Sequence, residues 1–148
     1  MLTTLPERAT LCRMQYWLIK SEPDFFGWEQ QVAHGVEPWT GVRSHQAKHN
    51  LQAMKKRDRC FFYHSNIGKE IVGIVEVVRE AYPDATAEKG DWVCVDVQAV
   101  SPLKRAVTLV EVKADPALAE MALVRYSRLS VGPVTKAEWD HVLALSRS

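Results

Sequence analysis

Aromatic, hydroxyl and cationic side chains crowd into one stretch of the chain, Trp39 to Ser65, WTGVRSHQAKHNLQAMKKRDRCFFYHS. Trp39, Tyr63 and His64 offer flat rings that can stack on a planar ligand, and Ser44 and Ser65 offer hydroxyls to its polar edge. Arg43 stands just ahead of a segment with helical periodicity. The unpaired N–H groups and positive dipole end of such a helix suit an anionic or acceptor-rich ligand. Earlier in the chain, Lys20 and Ser21 add a cation and a hydroxyl where an expected strand ends. Together these types describe one wall of a pocket.

A loop, a helix and a strand must hold that wall. From Ser44 the spacing predicts a helix with Ala47, Leu51 and Met54 on its buried face and Lys48, Lys55 and Lys56 largely outside it. Gly41 permits the turn before it, and Ser44 is the expected N-cap. Residues 59–64 alternate Arg59, Phe61, Tyr63 against Cys60, Phe62, His64, which is strand periodicity with aromatic weight on both faces. Asp58 closes the short connection between the two.

The rest of the chain reads as support. A strand is expected over Tyr16 to Lys20 and a covering helix over Trp28 to His34, ended by Gly35. Strands are expected over Ile71 to Val78, followed by a turn at Tyr82 to Asp84, and over Trp92 to Val100 with its valines inward. Val107 to Val112 is a further strand candidate, Asp115 and Pro116 start a helix to about Met121, and Arg128 to Val134 is a closing strand. Thr135 and Glu138 form a capping box for a last helix that buries Trp139, Val142, Leu143 and Leu145.

The chain has 148 residues, 47% of them hydrophobic and 25% charged, which is the composition of one domain able to bury a core. Its formal net charge of +1 excludes a protein that coats nucleic acid by bulk electrostatics, so any polyanion contact must be local. Cys12, Cys60 and Cys94 have no metal-site spacing and read as free thiols in a reducing cytosol, which predicts a cytoplasmic protein. No apolar run is long enough for a membrane span, and the N-terminus lacks a secretory core. Met1 to Arg13 has no periodicity and precedes Met14. It is expected to be a disordered tail or the product of an upstream start, with one domain over 14–148.

YWLIKSEP at 16–23, WTGVR at 39–43, QAKHNL at 46–51, FFYHS at 61–65, IVGIVEV at 71–77, AYPD at 81–84 and RLSVGPV at 128–134 occur in the order and nearly over the length of the EVE domain family, which this chain resembles. The resemblance implies an α+β, PUA-like fold: a small β-barrel, that is a curled mixed sheet, flanked by short helices and related to YTH and ASCH domains. It also implies a module without cofactor or enzymatic activity that reads a flipped modified base, a modified cytosine or related pyrimidine, in DNA or RNA. A monomer is expected, with modified nucleic acid as its partner and no membrane. Stacking and edge recognition of an extruded base require an aromatic platform and a few donors and acceptors. Trp39, Lys20, Ser21, Tyr63, His64, Ser65, Arg43, Ser44, Leu129 and Ser130 are the expected pocket, Trp17 or Trp28 can join it, and Lys48, Lys55 and Lys56 are the expected phosphate contacts. The chain departs from the family pattern at Thr40, Ser44, Lys48, His49 and Gly132, which alters the polarity expected of the pocket.

Each of these residues also has a plainer role, Trp39, Tyr63 and His64 as core aromatics and the lysines as solvated charges. His45 and His49 stand at i, i+4, yet Gln46 occupies the position of the glutamate in a zinc-peptidase helix, so no metal is expected. His64 and Ser65 are neighbours on a strand and point to opposite faces, which disfavours a nucleophile pair. Two other functions fit the residues: an ASCH-like hydrolase of nucleic acid or a small amide, with Lys20, Glu22 or His64 as acid or base, and a protein-interaction module with a vestigial pocket.

Overall fold

A computed structural model of the chain describes residues 14–148, so the expected tail at Met1 to Arg13 and Cys12 within it lie outside the described residues. The six strands are β1 (Tyr16–Ser21), β2 (Val36–Pro38), β3 (Arg59–His64), β4 (Glu70–Pro83), β5 (Val93–Thr108) and β6 (Val131–Val134). They form one sheet in the order β2-β5-β4-β3-β1-β6, with β1 and β3 parallel and the other neighbours antiparallel. The helices are α1 (Pro23–Phe26), α2 (Trp28–His34), α3 (His45–Ala53), α4 (Leu109–Ala114), α5 (Ala122–Arg125) and α6 (Lys136–Ser146), with a 3-10 turn at Pro116–Leu118. This is the α+β architecture expected. The sheet curls around α3, which packs on both β6 and β5, but it is not closed: β2 and β6 remain edges. Pro133, which cannot donate to a ladder, sits on that β6 edge.

Strands β1 and β3 are buried on both faces, as their unbroken apolar runs require. On the inner face Trp17, Ile19, Cys60 and Phe62 meet Ala47 and Leu51 of α3 and Met54 at its C-cap. On the outer face Leu18, Phe61 and Tyr63 meet Trp139 and Val142 of α6 with Val112, Leu118 and Met121. Phe61 and Trp139 stack there with ring centres 3.9 Å apart. Asp58 is more than the expected turn residue. Its buried carboxylate accepts from Trp17 Nε1 at 3.1 Å, from the Gln15 amide at 3.2 Å and from the Lys55 amide at 3.0 Å, tying β1 to the end of α3.

The sequence periodicities locate α2, α3, β3 and α6, including the Ser44 cap on the Ala47 amide and the Thr135–Glu138 box. Four expectations need correction. Strand β4 runs through Tyr82 and Pro83, so the turn begins at Asp84. Val107 to Val112 is not one strand: β5 ends at Thr108, which forms a capping box with Glu111 and starts α4. The segment after Asp115 breaks into the 3-10 turn and α5 rather than one helix. The last strand starts at Val131, not Arg128.

Gly73 on β4 positions the segment that matters most for the site. A Cβ there would lie 2.5 Å from the Trp28 ring, so the absent side chain is what lets the indole lie across the strand. Trp28 packs edge-on to Phe62 from that seat.

Candidate functional site

The loop between β2 and α3 carries Trp39 to Ser44 and is held by one buried carboxylate. Asp84 Oδ2 accepts from the Gly41 amide at 2.9 Å and from Arg43 Nη1 at 3.0 Å, while Oδ1 accepts from the Thr86 amide at 2.8 Å and its hydroxyl at 2.6 Å. Burial pushes the Asp84 carboxyl up, but these hydrogen bonds, from Thr86, Gly41 and Arg43, outweigh it and hold it down to about 2. Gly41 takes φ +88°, a conformation suited to glycine, and so presents its amide to the carboxylate. Arg43 is therefore a clamp: it also reaches the Val42 carbonyl and the Thr86 hydroxyl.

This loop, the end of β1 and α1 enclose a cavity of about 600 Å³. That size falls within the range of about 300–1,000 Å³ usual for small-molecule sites. Of the expected pocket residues, the fold brings Trp39, Lys20, Ser21, Arg43, Ser44 and Ser130 to it. Trp39 is 7% exposed and packs edge-on to Phe62 and Phe26, 5.6 Å and 6.1 Å between ring centres, so it forms the floor rather than a free platform. Ser21 donates its hydroxyl to the Phe26 carbonyl at 2.6 Å and thereby fixes α1 at the rim.

Strand alternation separates the remaining expected residues. β1 and β3 pair in register, Lys20 beside Tyr63 and Ser21 beside His64, so the two pairs face opposite sides of the sheet. Tyr63 and Ser65 therefore line a different, smaller hollow on the outer side, which Lys20 also borders. Burial raises the Tyr63 hydroxyl and lowers the Lys20 ammonium from their ordinary values. His64 lines neither hollow. Its Nε2 accepts the Trp28 amide at 3.1 Å, which puts the neutral ring's proton on Nδ1. Burial lowers its pKa, against a smaller upward pull from Glu70. Leu129 packs behind the Trp39 cavity, near Gly132 and Ala122, and does not line it.

The phosphate expectations also change. Lys48 is not on a solvated face: it is 9% exposed, its ammonium pairs with Asp91 at 2.8 Å, and it lies 5.9 Å from the Trp92 ring. The β4–β5 connection covers a side of α3 that the apolar pattern leaves open. Lys55 and Lys56 are exposed but follow the C-terminal end of nine-residue α3. That places them roughly 14 Å from the cavity at the helix N-terminus. Gly132 is also away from the cavity, so that departure from the family pattern does not touch it.

Sequence reasoning missed Phe25, Phe26 and Glu37 at the cavity and gave Glu22 only an acid–base role. Phe25 is 83% exposed, a large apolar ring at the mouth. The Phe25-Phe26 pair one residue after KSEP was a signal, since two adjacent rings on so short a helix cannot both face inward. Glu37 is held by His34 Nδ1 at 2.8 Å. Among the described residues, no group of three or more His, Cys, Asp or Glu is placed to hold a metal ion, and no helix is long and apolar enough to cross a membrane.

A curled, open mixed sheet plugged by a helix, with a polar and aromatic hollow at one end, defines a PUA-like module. The EVE domain pattern matches residues 15–145, and the chain belongs to that family. A solved structure from Rhodopseudomonas palustris is 58% identical with a TM-score of 0.86, covering 90% of this chain and 94% of that one. Thymocyte nuclear protein 1 of Rattus norvegicus is 38% identical over 90% of this chain and 74% of its own length. The human THYN1 protein, solved in complex with 5-methylcytosine-containing DNA, is 35% identical with a TM-score of 0.83, over 90% of this chain and 98% of that one.

Proposed function

We propose that this protein is a nucleic-acid-binding module that reads one flipped modified base, a modified cytosine or related pyrimidine, in the cavity beside Trp39. The observation that carries the reading is the cavity itself, with an aromatic floor, an exposed ring at its mouth and both donors and acceptors on its walls. Glu22 and Glu37 supply acceptors suited to an exocyclic amino group, and Ser44, Ser130 and the start of α3 supply donors for a ring carbonyl. Phe26 and Trp39 enclose the apolar edge of the base, and Phe25 stacks at the entrance. The human relative's complex with 5-methylcytosine-containing DNA supports the same ligand class. The module acts as a monomer in the cytoplasm, without a cofactor.

Binding rather than hydrolysis is favoured by where the acid–base candidates go. The Lys20 ammonium donates to the Ser127 carbonyl at 2.9 Å, and His64 is occupied by the Trp28 amide. Of the three, Glu22 alone keeps a side chain without a hydrogen bond beside the cavity.

The test is titration of a short duplex carrying one 5-methylcytosine against its unmodified twin. One methyl group in a fitted apolar pocket gives a preference of about 10- to 200-fold. Trp39→Phe, which keeps the core filled, should narrow that preference. Equal affinity of the wild-type protein for the two duplexes would overturn the reading.

A further inference from the structure

Across β1 from the Trp39 cavity lies the second hollow, about 260 Å³ in volume, between the β3–β4 turn, α4 and α5. Lys20, Lys69 and Lys113 line it together with Tyr63, Ser65 and Asn66, and no carboxylate does. The Lys20 ammonium sits 5.8 Å from the centre of the Tyr63 ring, so its charge is directed to this side of the strand. Among the described residues, Lys20, Lys69 and Lys113 have no carboxylate partner, a state they share with Lys55 and Lys56; what sets them apart is that they line one hollow. Burial already disfavours the Lys20 ammonium, a cost that an anion in the hollow would offset.

The turn that brings these groups together is itself fixed. Asn66, Gly68 and Lys69 all take positive φ, at 69°, 85° and 49°. The Leu109 amide donates to the Lys69 carbonyl at 2.9 Å, which seats the turn on the start of α4 and so beside Lys113. Lys20 borders both hollows, which places the cationic one a single side chain from the other.

We infer that this hollow seats a backbone phosphate of the strand whose base enters the Trp39 cavity, with Lys20, Lys69 and Lys113 as its cations. The inference rests on the base-reading function. It replaces the far end of α3 as the place where the backbone is held.

The experiment measures affinity for the methylated and unmodified duplexes over a range of salt concentrations. Lys69→Gln and Lys113→Gln, both at exposed positions, are compared with the wild type and with a Lys55→Gln control of the same charge change. Each lost phosphate contact lowers the slope of log affinity against log salt by about 0.9. Both test variants should show that loss, weaken both duplexes by the same factor and leave the methylation preference intact, while the control keeps the wild-type slope. Unchanged slopes in both test variants overturn the phosphate seat, as does a slope lost only in the control. Inorganic phosphate shifting the Lys69 and Lys113 amide resonances while those slopes stay unchanged would assign the hollow to a free phosphate ester and equally overturn it. A wild-type protein without methylation preference but with the slope losses would instead sink the base-reading function and spare the seat.

Discussion

The two faces of β1 and β3 carry similar aromatic content and do different things with it. Outside, Trp139 of α6 lies flat on Phe61 and closes the layer there, and only the smaller hollow beside Tyr63 opens on that side. Inside, Trp39, Phe26 and Trp28 meet Phe62 edge-on or tilted, with ring centres 5.4 to 6.5 Å apart. The space above them is left to the large cavity. Aromatic residues alone therefore do not mark a site. What distinguishes the inner face is a cover that stops short: α1 is four residues long, and the loop before α3 is pulled aside by Asp84.

The contrast is broken most severely from the outer side. Trp139→Ala should destabilise the protein by about 3–5 kcal/mol, because a buried ring is removed from a closed layer. Its preference for a methylated duplex should persist in whatever fraction stays folded, which urea denaturation and binding at low temperature would separate.

An intermediate effect comes from acid. Asp84 titrates at about 2 in the fold against an ordinary 3.8, so its contribution is complete above about pH 4 to 5 and is lost as pH falls through about 2. The displacement corresponds to about 2 kcal/mol. The stability gap between wild type and Asp84→Asn, measured by urea unfolding, should shrink from neutral pH toward that range. A gap independent of pH would mean that the carboxylate does not hold the lip of the cavity.

The smallest effect on stability should come from Phe25→Ala. The ring is exposed, so unfolding free energy should change by less than about 0.5 kcal/mol. Affinity for the methylated duplex should nevertheless fall by the worth of one stacking contact, about 1–3 kcal/mol. Loss of stability without loss of affinity would make Phe25 a structural residue and remove the cavity's gatepost.

Elements built from local signals were legible in the sequence. Ser44 with Ala47 and Leu51, the alternation from Arg59 to His64, and Thr135 with Glu138 each contain their own start signal and period. The Thr108–Glu111 box is the same signal, hidden in a β-branched run that reads as strand. The site was legible in part. WTGVR and KSEP converge, but period-two alternation already implied that Tyr63 and His64 could not serve one pocket through their side chains, whereas Lys20 and Ser21, at the end of β1, both reach the Trp39 cavity. The role of Asp84 was not legible, because its partners Gly41 and Arg43 are 43 and 41 positions away and nothing local announces the pairing. The covered side of α3 was missed for the same reason: Asp91 reaches Lys48 from a distant turn.

The indole seated over Gly73 anchors the start of α2, which follows directly on the α1 segment carrying Glu22, Phe25 and Phe26. A methyl group added at position 73 would displace that indole and with it one whole wall of the cavity. A change in the middle of a strand that no ligand touches would then surface as a recognition defect, and a genetic screen for lost binding would return it beside the residues at the mouth.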